Sequence, residues 1–270
     1  MSLRAPNINS GSAHRQEGDA PVSLGDSGQK SRAGGSSNVT LRGVELLLIR
    51  HGQSLNNASE QAPGGSGRRL PDPPLTTLGH EQARRLAVWT AQDDNCRPIT
   101  QLYSSLTTRA VQTAAPLARA LGLPVQGLAA AYECGGLSTG PAGGFAPVTG
   151  RDHASLRLDC PPLLWPPDLA GRPWDGGHEP WEPACFQARA AGVAATLRGV
   201  TGAGVVALIT HHDFAAFLLA ELLGLPSPGI GGPGLRLDNT GTARLTLGPG
   251  RAAIHGLNRV DHLPQNLRSR

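Results

Sequence analysis

Residues 44–54 read Val-Glu-Leu-Leu-Leu-Ile-Arg-His-Gly-Gln-Ser. The apolar run 44–49 is short and stops at a polar, Gly-containing turn, which is the pattern of a strand buried on both faces. Arg50 and His51 stand at its carboxyl end, where open α/β sheets bind their ligands. Gly52 lets the backbone come close to such a ligand. The stretch 204–210, Gly-Val-Val-Ala-Leu-Ile-Thr, repeats the arrangement and runs into His211-His212-Asp213 at the head of an apolar helix over 212–223. Gly224 and Pro226 end that helix.

Working outward, a Gly/Pro-rich loop (62–74) is followed by Thr76 and Thr77, either of which can cap a helix over 78–91. Ile99–Ser104 reads as a strand, 106–121 as a helix closed by Gly122 and Pro124, and 124–128 as a third strand. A helix over 180–199 precedes the 204–210 strand, and short strands near 242–247 and 251–256 complete the set. Strands alternating with helices predict a three-layer α/β/α sandwich whose sheet is mostly parallel and covered on both faces. The domain is expected over 44–270. The stretch 133–178 is Gly/Pro-laden with little periodicity, and a long irregular segment of this kind is expected to be a substrate lid. Trp174 and Trp181 either line the substrate mouth or pack beneath that segment.

Composition narrows the function. Of 270 residues, 36 are Gly and 23 are Pro, but 39% are hydrophobic, enough for a real core. Residues 1–43 lack any hydrophobic period and read as a flexible tail. The net charge of +4 divides evenly, +2 in residues 1–43 and +2 in the rest. A nucleic-acid binder would concentrate it in a basic stripe. No apolar run is long enough to span a membrane and none follows the N-terminus as a secretory signal, so a cytoplasmic protein is expected. Lys30 is the sole lysine. Every other cation is therefore Arg, which grips phosphate and carboxylate bidentately. Cys96, Cys134, Cys160 and Cys185 are too widely spaced for a zinc site or a disulfide framework and read as reduced. The sequence leaves a homodimer open.

Three strands thus deliver Arg50, His51, Arg109 and His211 toward one sheet edge, a cradle suited to a phosphoryl dianion. The elements LLLIRHGQSLNN, PDPPLTTLGHEQA (71–83), LYSSLTTRAVQTA (102–114), AYECGG (131–136), FQAR (186–189), VVALITHHDF (205–214) and LDNTGTARL (237–245) occur in this order. In them the chain resembles the histidine phosphatases, the phosphoglycerate-mutase-like superfamily, over nearly all of 44–262. The resemblance implies His51 as the phosphoryl-accepting nucleophile. It implies Arg50, Arg109, His211 and Asn57 as ligands of the phosphate, and Glu133 as general acid and base.

It also implies chemistry without cofactor or metal on a small phosphorylated metabolite. Hydrolysis is the expected outcome. Phosphoglycerate mutase-type transfer, a non-catalytic phosphate-binding protein and a metal-dependent hydrolase on the His/Asp cluster are the alternatives. Three positions depart from the family pattern. His212 stands where Gly is usual, and either touches phosphate or points into the core. Ser105-Leu106 replaces Ser-Pro, and Cys134-Gly135-Gly136 replaces Trp-Glu-Gly. Glu179 and Glu182 are rivals to Glu133, read otherwise as solvated residues at a helix start.

Overall fold

A computed structural model describes residues 43–61, 69–92, 98–140, 146–202, 204–229 and 235–270. The tail read at 1–43 lies, apart from Gly43, outside the described residues, as do Cys96 and the first part of the 62–74 loop. In chain order the elements are β1 (Val44–Arg50), α1 (Leu55–Gln61), α2 (Thr77–Gln92), β2 (Ile99–Ser104), α3 (Thr108–Leu121) and β3 (Val125–Gly127). Then come β4 (Ser138–Thr139), β5 (Ala146–Pro147), α4 (His153–Asp159), β6 (Leu163–Leu164), α5 (Pro183–Arg198) and β7 (Val205–Thr210). Helix α6 (His212–Leu223), β8 (Thr242–Gly248) and β9 (Arg251–Arg259) follow.

Among the described residues the central sheet has seven strands in the order β6-β3-β2-β7-β1-β8-β9. The first five are mutually parallel, while β8 and β9 run antiparallel at one edge. Alternation along the two central strands divides the core. Leu46, Leu48, Val206 and Leu208 pack under α5 and α6 with Phe186, Phe214 and Leu218. Leu47, Ile49, Ala207 and Ile209 pack on the other face under α2 and α3 with Leu86, Val111 and Leu117. Both faces are covered, which is why these strands read as unbroken apolar runs rather than alternating ones. Among the described residues no helix is long and apolar enough to cross a membrane.

The helix stops fall where the glycines were. Gly122 and Gly224 adopt φ 66° and 67°, the left-handed cap conformation. Thr76 starts α2 by accepting the Gly79 N–H on its hydroxyl at 3.0 Å. The stretch 133–178 is less irregular than its composition suggests. It contains α4, capped by Asp152, and β6 extends the sheet beside β3. Leu156, Cys160, Leu163 and Trp174 are buried in the α2–α3 core. An element of two residues, and a helix of seven after a proline-flanked turn, are too short to show a period.

The register decides where the site falls. Arg50 pairs with Thr210 and Ser104 with Ile209, so the carboxyl ends of β1, β7 and β2 stop side by side. Leu208 lies at the centre of this arrangement and is fully buried. Replacing Leu208 with Ala should cost about 2–5 kcal/mol of unfolding free energy, read by chemical denaturation. A loss well under 1 kcal/mol would mean that α5 and α6 do not close tightly over the sheet.

Candidate active site

His51 follows directly from β1. Its N–H donates to the Thr210 carbonyl of β7 at 3.0 Å, and its ring Nδ1 lies 2.7 Å from the Gly52 carbonyl. A carbonyl only accepts, so Nδ1 carries the hydrogen and Nε2 is left with the lone pair. The Arg109 Nε–H donates to that Nε2 at 3.1 Å. The same guanidinium reaches His211, its Nη2 donating to Nδ1 at 3.1 Å. The His211 Nε2–H then donates to the Ser105 hydroxyl at 3.0 Å. The two imidazole rings are 5.0 Å apart. Arg50, His51, Arg109 and His211 are each at most 9% exposed.

Burial, then Arg109 and Arg50, push the His51 pKa well below the ordinary histidine value. Burial and Arg109 do the same to His211. A lowered pKa means that the proton is lost at lower pH, so both rings are neutral across the neutral range. Hydrogen bonding has thus set opposite tautomers on the two rings.

The turn carrying His51 is clamped from several directions. The Gly52 N–H donates to the Thr113 hydroxyl at 3.0 Å and the Gln53 N–H to Gln82 Oε1 at 2.8 Å. A Cβ on Gly79 would come within 2.1 Å of the Gln53 carbonyl oxygen, and one on Gly52 within 2.7 Å of the Gly79 oxygen. Only glycine at both positions lets α2 meet the turn this closely. Asn239 donates from Nδ2 to the His51 carbonyl and to Asn57 Oδ1, each at 3.3 Å. The adjacent Thr240, at φ 55°, donates its N–H to the Arg50 carbonyl at 3.1 Å. Ser269 near the C-terminus holds Asn239 in turn, its hydroxyl donating to Asn239 Oδ1 at 2.9 Å.

Of the expected site residues, Arg50, His51, Asn57, Arg109, Glu133 and His212 line one cavity of about 580 Å³, and His211 lies immediately behind it. Arg50 Nη1 donates to the Leu237 carbonyl at 2.9 Å. The amide oxygen of Asn57 accepts from the Ser54 N–H and hydroxyl as well as from Asn239. The Glu133 carboxylate accepts from the N–H groups of Phe214 (2.9 Å), Cys134 (3.0 Å) and Asp213 (3.3 Å). It thereby caps α6 from outside the helix, since His211 at the cap position supplies no side-chain bond. Asp72 does the same for α3, taking the Thr108 N–H at 3.0 Å and its hydroxyl at 2.6 Å. Asp72 also lies 3.9 Å from Arg109.

Several expectations need correction. Glu179 is not a solvated helix-start residue. It forms a bidentate pair with Arg189 at 2.5 and 2.9 Å, with both side chains at most 9% exposed. Glu182, by contrast, is the solvated helix-start residue expected, exposed at the start of α5 and making no capping bond. His212 does not enter the core, since its Nδ1 donates to the Leu237 carbonyl at 3.0 Å and its ring lines the cavity. Trp174 is buried in the core and Trp181 is at the cavity wall. Burial pushes the Cys134 thiol up, away from the thiolate form. The Asp213 carboxyl at the rim is pushed up to about 6 by partial burial and by Glu133.

Asp72, Gln82, Thr113, Ser105, Asn239 and Ser269 were not expected in the site. Each is a common polar residue whose partner is tens of residues away, and nothing local signals the pairing. All but Ser269 do fall inside the quoted stretches 71–83, 102–114 and 237–245, which was the available hint.

The family model that matches, at residues 46–260, is that of the histidine phosphatase superfamily, branch 1. Over 122 residues, 45% of this chain, the sequence is 32% identical to a PE-PGRS family protein of Mycobacterium tuberculosis, of which the match covers 19%. Over 82 residues, 30% of this chain, it is 38% identical to a protein described as a probable phosphoglycerate mutase of Yersinia enterocolitica, covering 34% of it. The chain therefore spans about a third or less of the length of these curated relatives. A solved structure described as a mycobacterial hydrolase shares 25% identity at a TM-score of 0.54, covering 81% of this chain and 99% of its own.

The tautomers are directly testable. Nitrogen-15 NMR of the imidazole groups at pH 6 should find His51 and His211 neutral, protonated on Nδ1 and Nε2 respectively. An ordinary histidine, with a pKa of about 6.5, is mostly charged there. Titration of either ring near 6.5 would contradict the burial and the cationic surroundings described above.

Proposed function

The chain belongs to the histidine phosphatase superfamily, branch 1, and within it we propose a metal-independent phosphatase that hydrolyses a small phosphomonoester through a phosphohistidine on His51. The observation that carries the reading is the presentation of the His51 Nε2 lone pair, with Nδ1–H tied to Gly52, against a buried guanidinium at 3.1 Å. A neutral imidazole held this way is ready to attack, and it cannot be protonated away at neutral pH.

In the first half-reaction Nε2 bonds to phosphorus as the ester oxygen departs opposite to it. The Arg109 Nε–H, which donates to Nε2 in the free site, keeps its proton and turns its hydrogen bond to a phosphoryl oxygen as that bond forms. Arg50 and Arg109 supply fixed positive charge to the equatorial oxygens, which is most of what phosphoryl transfer needs. The Asn57 amide nitrogen adds a hydrogen bond, while His211, whose one N–H is given to Ser105, holds the Arg109 guanidinium in place through Nδ1. The Asn57 oxygen is already engaged, so its NH₂ is the end available to an anion. Glu133 gives a proton to the leaving alkoxide. In the second half-reaction it takes one from the water that attacks the phosphohistidine, which restores both residues. The substrate is a small phosphorylated metabolite in a cytoplasmic setting. The likeness to a hydrolase structure supports hydrolysis. Mutase-type transfer is the second reading, favoured by the Yersinia relative, and assaying free phosphate alongside isomerised product separates the two.

His51→Ala should retain the fold and lose turnover by at least about 10³-fold. Wild type should release p-nitrophenol from p-nitrophenyl phosphate undiminished in EDTA. Comparable activity in the variant would remove the nucleophile, and loss in chelator would point to a metal. Glu133→Gln should slow an alkyl phosphate by about 10²-fold or more, and p-nitrophenyl phosphate much less, because a good leaving group needs little protonation. Equal losses on both would assign the acid elsewhere.

A further inference from the structure

The cavity of about 580 Å³ has room for an alcohol beside the phosphoryl group, and that second half has a distinct chemistry. Trp181 forms part of its wall while remaining 54% exposed. Its indole lies directly on the backbone of Gly135, where an added Cβ would fall 2.5 Å from Cζ3. Phe186 packs edge-on against it, with ring centroids 5.4 Å apart and planes at 78°.

The seat beneath the ring is itself braced. Gly135 and Gly136 adopt φ 80° and 71°, and the Gly135 N–H donates to Glu179 Oε1 at 3.2 Å. Glu179 is locked by Arg189, which is sandwiched between Tyr132 at 3.7 Å and Phe214 at 4.0 Å. An indole pinned on two sides and open elsewhere is a platform rather than a mobile surface side chain. It offers contact area without an ordering cost on binding.

The charges on this half are one-sided. Among the described residues lining it, Arg69 is the cation outside the phosphate cradle, and its guanidinium is bonded to Glu60. The charge of Glu179 is taken by Arg189. Glu133 and Asp213 remain, both carboxyl groups. A second anionic group on the substrate would find no unpaired guanidinium outside the cradle among the described lining residues to receive it.

We infer that the alcohol part of the substrate is an uncharged ring, a sugar or an aromatic, that lies on Trp181, and that phosphorylated hydroxy acids are poor substrates. This rests on the phosphatase reading of the same site and adds the substrate class to it. Binding energy from a ring remote from phosphorus appears in kcat/KM, and its removal is read by comparing substrates on one enzyme.

The test is a panel of alkyl esters with similar leaving groups, assayed by phosphate release: a hexose 6-phosphate, benzyl phosphate, glycerol phosphate and 3-phosphoglycerate. Ring esters should exceed glycerol phosphate by about tenfold in kcat/KM and 3-phosphoglycerate by more. Whichever ring ester leads tells sugar from aromatic. In Trp181→Ala the ratio of ring ester to glycerol phosphate should fall about tenfold, and Trp181→Phe should restore much of it, which guards against a folding defect. Preference for 3-phosphoglycerate, or turnover with no ring preference, would overturn this inference alone. Inactivity toward every ester, p-nitrophenyl phosphate included, would overturn the phosphatase reading and this one with it.

Discussion

Two guanidinium groups buried beside two neutral imidazoles set the terms for the rest of the molecule. Arg50 and Arg109 are almost fully removed from water, and burying a charge is costly unless it is compensated. The compensation is indirect. Asp72 lies 3.9 Å from Arg109, and Glu133, which lines the same cavity as Arg50, is the carboxylate acting most strongly on it. Both carboxylates are tied to backbone N–H groups at the starts of α3 and α6. The hydrogen bonds of the two guanidiniums thus go to imidazole and carbonyl acceptors rather than to a carboxylate that an anion would have to displace.

That device also settles the helix ends. Thr107 and His211 occupy the cap positions of α3 and α6, yet neither supplies a side-chain bond to its helix. Carboxylates from distant segments do so instead. A helix start that holds a carboxylate is favourably placed in the field of the helix. One arrangement therefore caps two helices, compensates two buried cations and presents one histidine lone pair.

Around the cradle the supports grade from rigid to open. The His51 turn is held by α2, α3, the segment before β8 and Ser269, so the reactive nitrogen has little freedom. On the opposite side the Arg189–Glu179 pair fixes the Gly135–Gly136 turn and, through it, the indole of Trp181. The departure from the family pattern at Cys134-Gly135-Gly136 thereby acquires a physical role, because a side chain at Gly135 would collide with that ring and one at Gly136 with the Gly177 carbonyl, 1.9 Å away. Cys134 itself is buried packing.

The sequence by itself determined the layer architecture, the ends of the principal helices, and the convergence of Arg50, His51, Arg109 and His211. Each of these depends on local pattern: an apolar run, a glycine able to take positive φ, a polar pair directly after a strand. It did not determine α4 or β6, which are too short to carry a period, nor that Glu179 is buried, nor that His212 faces the cavity. Tertiary structure alone decided the ring tautomers, the remote caps from Asp72 and Glu133, and the clamp through Asn239 and Ser269. These depend on hydrogen bonds and ion pairs between residues far apart in the chain, and a one-dimensional pattern holds no record of which distant donor meets which acceptor.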